Sequence, residues 1–202
     1  TADEQPLRAI LDRHPEVTSV TVGNWGHMPI VRGLGKTLRG DLGLNVYNSR
    51  AVAFWRERGL TSVTASLELR WQQVRDLGKY ADCEAVIYGR LPLMITENCM
   101  IGNAGNCHGD KRLCQGENSL TDRTGAQFPL LGQYGCRCEV ENSRVLFLAD
   151  KPEWQRCGLT WARLRFTTEP PAQCDAVLRR YQGQDSWTPE EFTRGLFYRG
   201  VE

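Results

Sequence analysis

The first ninety residues repeat one pattern, and that repeat limits the fold more than any other feature of the sequence. A helical stretch is followed by a short β-rich run and then by polar or Gly-rich residues. The β-rich runs are VTSVTV (Val17–Val22), LRGDLGLNVY (Leu38–Tyr47), TSVTASLEL (Thr61–Leu69) and CEAVIYGR (Cys83–Arg90). Between them the spacing predicts helices around Ile30–Leu34, in SRAVAFWRERG and in RWQQVRDLG. Ser49 is expected as N-cap of the second, with Ala51, Phe54 and Trp55 inward and Gly59 as its stop. Trp71, Val74 and Leu77 fall on one face of the third. An opening helix is expected from an Asp3 cap and Pro6, with Leu7, Ile10 and Leu11 on one face. Strands joined by helices form βαβ units and a parallel sheet. A spacing of roughly twenty residues between strand starts suits a (β/α)₈ barrel, yet only four units are present. The expectation is therefore an α/β fold containing half of a TIM-like barrel, with a small open α/β sheet as the alternative. An open half-barrel leaves both sheet edges and its interior uncovered. Either a longer parent chain supplies an N-terminal half, or a homodimer covers the edges.

After Arg90 the periodicity changes. NSLTDRTGAQFPLL is expected as a hairpin turning at DRTG, and CRCEVENSRVLFLAD as another turning at ENSR. LTWARLRFTTE follows as a strand, and Pro171 to about Tyr181 as a helix. A last helical turn is expected in TPEEF, with Thr188 as N-cap and Pro189 in the first position. These changes divide the chain into residues 1–92 (half-barrel), 93–150 (a Cys-rich loop with hairpins) and 151–202 (a closing α+β segment). Lys and Arg number 25 against 24 Asp and Glu. Between Asn106 and Arg144 the count is five of each, so no segment carries the basic excess typical of nucleic-acid binders. No apolar run approaches the ~20 residues of a membrane span.

The blocks RGDLGLNVYNS, YGRLPLMITENC, LTDRTGAQFPL, CRCEVENS and FTRGLFYRGVE, in that order and spacing, resemble the U32, or collagenase-like, peptidases. The resemblance implies a bacterial cytoplasmic enzyme with a TIM-like barrel, of which this chain carries the C-terminal half and the Cys-rich segment. Some members are labelled proteases. Others resemble them in sequence but hydroxylate an RNA base and carry an iron–sulfur cluster on four cysteines. The substrate implied is accordingly a peptide or an RNA.

Five of the eight cysteines lie between residues 99 and 138. In a reducing compartment such clustering favours metal or cluster binding over disulfides. Four thiolates can hold a [4Fe–4S] cluster or a tetrahedral zinc. The candidate ligands are Cys99, Cys107, Cys114 and Cys136, with Cys138 or His108 as substitutes. Cys136 is preferred because its place in CRCEVENS matches the family's cysteine–arginine pair. Their gaps of seven, six and twenty-one residues are wider than zinc knuckles and identify neither metal. Gly102, Gly105 and Gly109 would let the loop fold back. Cys83, Cys157 and Cys174 read as small core hydrophobes.

Barrel chemistry gathers at the C-terminal ends of strands. Asn24, Trp25 and His27 follow the first strand, Asn45 and Tyr47 the second, Glu68 the third, and Tyr88 and Arg90 the fourth, with Glu97 just beyond. Glu68, Glu97, His27 and Arg90 are the candidate catalytic groups. Asn24, Trp25, Asn45, Tyr47 and Tyr88 are candidate substrate contacts. The chain contains neither an H-E-x-x-H helix nor a G-x-S-x-G elbow. The expected functions are a U32-type peptidase chain with a four-Cys site, incomplete as an enzyme alone, an iron–sulfur RNA hydroxylase, or a structural thiol or zinc site.

Overall fold

The computed structural model describes residues 4–105, 107 and 112–199. They form two compact units, one from Thr1–Ile87, Asp150–Arg163 and Arg194–Glu202, the other from Tyr88–Ala149 and Leu164–Thr193. Among the described residues no helix is long and apolar enough to cross a membrane.

The first unit carries the half-barrel. Strands β1 (Ser19–Val22), β2 (Thr37–Gly40), β3 (Leu60–Thr64) and the start of β4 (Asp82–Thr96) lie parallel in chain order. Helices α1 (Glu4–Arg13), α2 (Met28–Val31), α3 (Ser49–Glu57) and α4 (Trp71–Leu77) precede or connect them. The mixed α/β fold with half of a TIM-like barrel is thus the one expected from the repeat. Along α4 the three-residue spacing of Trp71, Val74 and Leu77 puts all three in the core. Trp71 also stacks on Phe197 at 4.2 Å. Burying one side chain of this size contributes about 1.5–3 kcal/mol.

Local hydrogen bonds change several expected boundaries. The second strand stops at Gly40, because the Asp41 carboxylate accepts from the Leu42 N–H at 2.8 Å and starts a 3₁₀ turn over Leu42–Leu44. A Cβ at Gly43 would lie 2.2 Å from the Gly23 carbonyl, so only glycine allows this approach. Asn48, rather than Ser49, caps α3, its side chain accepting from the Ala51 N–H at 2.9 Å. Val52 and Trp55 point into the core, whereas Phe54 is 41% exposed. The helix expected at Ile30–Leu34 is α2 and starts earlier. The Asp3 cap lies outside the described residues.

In the second unit the rest of β4 joins an antiparallel sheet in the order β4, β7 (Arg137–Phe147), β6 (Gln127–Gln133), β5 (Asn118–Thr121). Two short helices, α5 (Met100–Ala104) and α6 (Arg112–Gln115), lie between β4 and β5. The β5–β6 hairpin turns at DRTG as expected. There the Asp122 carboxylate accepts from the Thr124 N–H, the Thr124 hydroxyl and the Ala126 N–H. The hairpin expected at ENSR does not form; β7 continues through it with a bulge, Arg90 pairing with Val145 and Pro92 with Glu141, while the Asn142 side-chain oxygen accepts from the Arg144 N–H. Arg90 donates to the Asn142 and Ser143 carbonyls, and the buried Glu141 pairs with Arg165, so tertiary partners keep the flanks of the bulge in the sheet.

After α7 (Glu153–Arg156) come β8 (Trp161–Arg165) and α8 (Pro171–Tyr181), the latter with its expected bounds. No helix forms at TPEEF. Instead β9 (Phe192–Thr193) pairs parallel with β7, and Phe192 packs on Phe147. The aromatic cluster around Tyr88, Phe147 and Val177, with Trp187 and Phe192 against it, outweighs the local capping signal.

Candidate functional site

The cysteines of the second unit stand on three pieces of backbone. Cys99 follows the end of β4 and caps α5, its Sγ accepting from the Gly102 N–H at 3.2 Å. Gly102 leaves space between two thiols, since a Cβ there would stand 3.0 Å from Cys99 Sγ and 3.3 Å from Cys107 Cβ. Gly132 on β6 does the same for Cys114 on α6, where a Cβ would come within 2.8 Å of the Cys114 Cβ. Cys136 ends the β6–β7 turn with φ 60°, directly after Gly135 at φ 75°. A left-handed conformation costs a residue with a Cβ about 1–2 kcal/mol, and such strain collects at functional sites.

Removal from water, and then the nearby thiols of Cys99, Cys107, Cys136 and Cys138, push the Cys114 thiol up from its ordinary value. Five thiols therefore share one neighbourhood. Among the described residues, however, no three Cys, His, Asp or Glu side chains converge as a group that could hold a metal. Thiolates are the donor type of a four-Cys site, and Gly102 and Gly132 lie against Cys99, Cys107 and Cys114, but the described side chains are not gathered into one set of ligands. Cys138 is fully buried among Ile101, Leu130 and Val140 and acts as core. His108 lies outside the described residues, as does Gly109.

Glu97 and Arg137 flank this group. Arg137 Nε meets Glu97 Oε1 at 2.9 Å, and the Glu97 side chain is 82% exposed. The Thr96 hydroxyl lies 2.8 Å from the Asn98 carbonyl and 3.3 Å from that of Cys138, tying the end of β4 to β7. A cleft of about 570 Å³ opens beside Cys114, between the β5–β6 hairpin and Thr167–Thr168.

The other expected site residues are not drawn together. Asn24 caps the 3₁₀ turn Trp25–His27, accepting from the Gly26 N–H at 2.7 Å. Trp25 packs on Phe54 and Trp55, with the Arg58 guanidinium over its ring. His27 and Glu68 are exposed. Asn45 takes φ 45° and closes the 3₁₀ turn after β2. Tyr47 lines a cleft of about 410 Å³ with Gln73, Asp76 and Tyr80. Tyr88 and Arg90 sit inside β4 rather than at a strand end, because that strand runs on to Thr96. Tyr88 is fully buried in the aromatic cluster. Arg90 is engaged by two carbonyls and lies 3.3 Å from the Thr168 hydroxyl.

Two charged networks were not foreseen. In the first unit Glu84, only 8% exposed, meets Arg163, Arg39 and the Thr64 hydroxyl, while Arg163 also binds Asp41 at 2.5 Å. Arg39 lies over the Trp161 ring at 3.9 Å. In the second unit Arg165 makes a bidentate pair with the fully buried Glu141 and reaches Glu139. Burial, and then the Glu141 charge, push the Glu139 carboxyl up against the pull of Arg165. The signal available in the sequence was, for Glu84, one acidic residue set in the apolar run CEAVIYG; Glu141 in VENSRVLF carried none.

These features define a mixed α/β chain whose half-barrel is joined to a hairpin unit rich in thiols. The sequence model of peptidase family U32 matches residues 13–117, just over half of the chain, and the chain belongs to that family. The match covers the half-barrel, Cys99, Cys107 and Cys114, and stops short of Cys136. No curated protein and no solved structure matches the chain.

Proposed function

We propose that this chain is the part of a U32 enzyme that holds a [4Fe–4S] cluster, on Cys99, Cys107, Cys114 and Cys136. The supporting observation is the field of neighbouring thiols around Cys114. Four thiolates bind either a cluster or zinc, and a bound cluster would supply one-electron chemistry. In this reading Gly102 donates its N–H to the Cys99 sulfur and orients it. Gly132 keeps space for Cys114, and the Glu97–Arg137 pair ties the strand carrying Cys99 to the turn carrying Cys136. In this reading the protein works in the cytoplasm, where thiols stay reduced.

The test is anaerobic purification followed by an absorption spectrum with iron, sulfide and zinc analysis. About four irons per chain and a brown colour are expected. A colourless chain with zinc or no metal would refute the cluster. A second reading, peptide hydrolysis with Glu68, Glu97 or His27 as acid or base, draws on the family's description. It predicts cleavage of gelatin or casein above an inactive control. Hydroxylation of an RNA base is the redox alternative, and it predicts loss of one modified nucleoside when the gene is deleted.

A further inference from the structure

The strands of the first unit carry charge where a barrel ordinarily carries bulk. Side chains alternate along a strand, so Arg39 on β2, Ser62 and Thr64 on β3 and Glu84 on β4 share one face of the sheet. Leu38, Val63 and Cys83 point to the other face and are buried. That apolar face lies under the connecting helices. The polar face is the interior, which barrels normally fill with Val, Ile and Leu. Here it holds hydroxyls, a carboxylate and two guanidiniums, the second being that of Arg163 on β8.

The two arginines are not equally engaged. Arg163 takes both acids, Asp41 through Nη1 at 2.5 Å and Glu84 through Nη2. Arg39 reaches Glu84 and the Ser62 hydroxyl only at 3.4 Å, well beyond the usual N–H···O separation of about 2.9 Å. Its Nη1 has no partner among the described residues. The guanidinium still has a fixed plane, because it lies on the Trp161 ring at 3.9 Å. The side chain is 27% exposed, so solvent reaches it. A guanidinium held by its face and loosely bonded at its edge is prepared for an oxyanion.

The neighbours select which oxyanion. Glu84 and Asp41 already place two carboxylates around Arg163, and Glu84 also faces Arg39. An incoming anion meets that Glu84 charge, and the repulsion doubles for a dianion. A carboxylate carries a single charge, and its plane matches the guanidinium edge with two parallel hydrogen bonds.

We propose that Arg39, laid on Trp161, binds the carboxylate of a small organic acid at the interior face of the half-barrel. Arg163 and Glu84 form the frame that sets its position. The site needs no metal and no cysteine, and it is independent of the thiol reading.

The test uses the whole chain, reduced and labelled with ¹⁵N, at constant ionic strength. It is titrated with sodium propionate, and in parallel with propionamide, the neutral isostere, and with sulfate, a dianion. Saturable shifts of the Trp161 indole N–H and the Arg39 Nε–H are expected with propionate alone. Arg39→Lys keeps the charge and loses the fork, and should weaken binding about tenfold. Arg39→Gln should abolish it, and Trp161→Leu, which removes the ring and no charge, should weaken it and serves where Arg39→Gln does not fold. Equal shifts with sulfate or propionamide, no saturation by propionate at millimolar concentration, or an unchanged affinity in Arg39→Lys would overturn the proposal. Cys114→Ser should leave propionate binding intact, so failure of the thiol site and failure of this one are read separately.

Discussion

At the scale of single residues, the thiols separate by backbone and burial rather than by spacing. Cys136 holds a left-handed conformation that glycine adopts freely, whereas Cys138, two residues on, fills the core. Cys136→Gly should therefore stabilise the metal-free chain by about 0.5–1 kcal/mol, and under the proposed four-thiolate reading it should abolish metal uptake. Thermal melts and metal analysis of the same sample check both halves of that statement. Cys138→Ser should do the reverse, lowering the melting temperature because a hydroxyl would replace a fully buried thiol, and under the same reading leaving metal uptake unchanged. Glu139 offers a test by pH. Its carboxyl is raised on folding, so it supports the fold while protonated, and that contribution is lost as pH rises through its folded value. Glu139→Gln should melt higher than the parent at neutral pH, with the gap closing as the pH falls into the acid range. A gap that widened in acid would contradict the assignment. Of the candidate catalytic groups, Arg90 was legible as a strand residue, but its two carbonyl partners were not, since Asn142 and Ser143 are more than fifty positions away.

At the scale of elements, β7 shows tertiary structure overriding a local signal. ENSR carries the residue types of a turn, yet Arg90 holds two of its carbonyls and Arg165 anchors Glu141 in the strand. Breaking a buried pair on one side leaves an uncompensated charge, a loss of about 3–5 kcal/mol. Arg165→Met should destabilise by that amount in urea, and adding Glu141→Leu should recover most of it. If the double variant were no better than the single one, the pair would not be what anchors Glu141 in the strand. DRTG has the same turn-forming character and does turn, because Asp122 satisfies three donors within the loop itself. α4 and α8 were readable for a related reason: their apolar spacing agrees with the faces they bury. TPEEF had a cap and a proline but no such face, and Phe192 joined a strand pair instead.

At the scale of the whole molecule, the thiols should report their burial through their reactivity. In the reduced, metal-free chain an alkylating reagent is expected to reach Cys136 quickly, and Cys83, Cys138 and Cys157 only on unfolding. Burial pushes the Cys83 thiol up to about 12, so it has little thiolate at any pH used for labelling. Peptide mapping after timed alkylation would read this directly, and early modification of Cys83 would contradict the packing. The sequence by itself determined the α/β class, the half-barrel and the family, because strand–helix alternation and local caps are properties of contiguous residues. It also marked the Cys-rich segment. Only the tertiary structure decided which of Cys136 and Cys138 faces outward, that Tyr88 belongs to a core, and that Glu84 and Glu141 are held by arginines far along the chain. Those outcomes depend on pairings between distant residues, whose energies outweigh local preference and leave no periodic trace in the sequence.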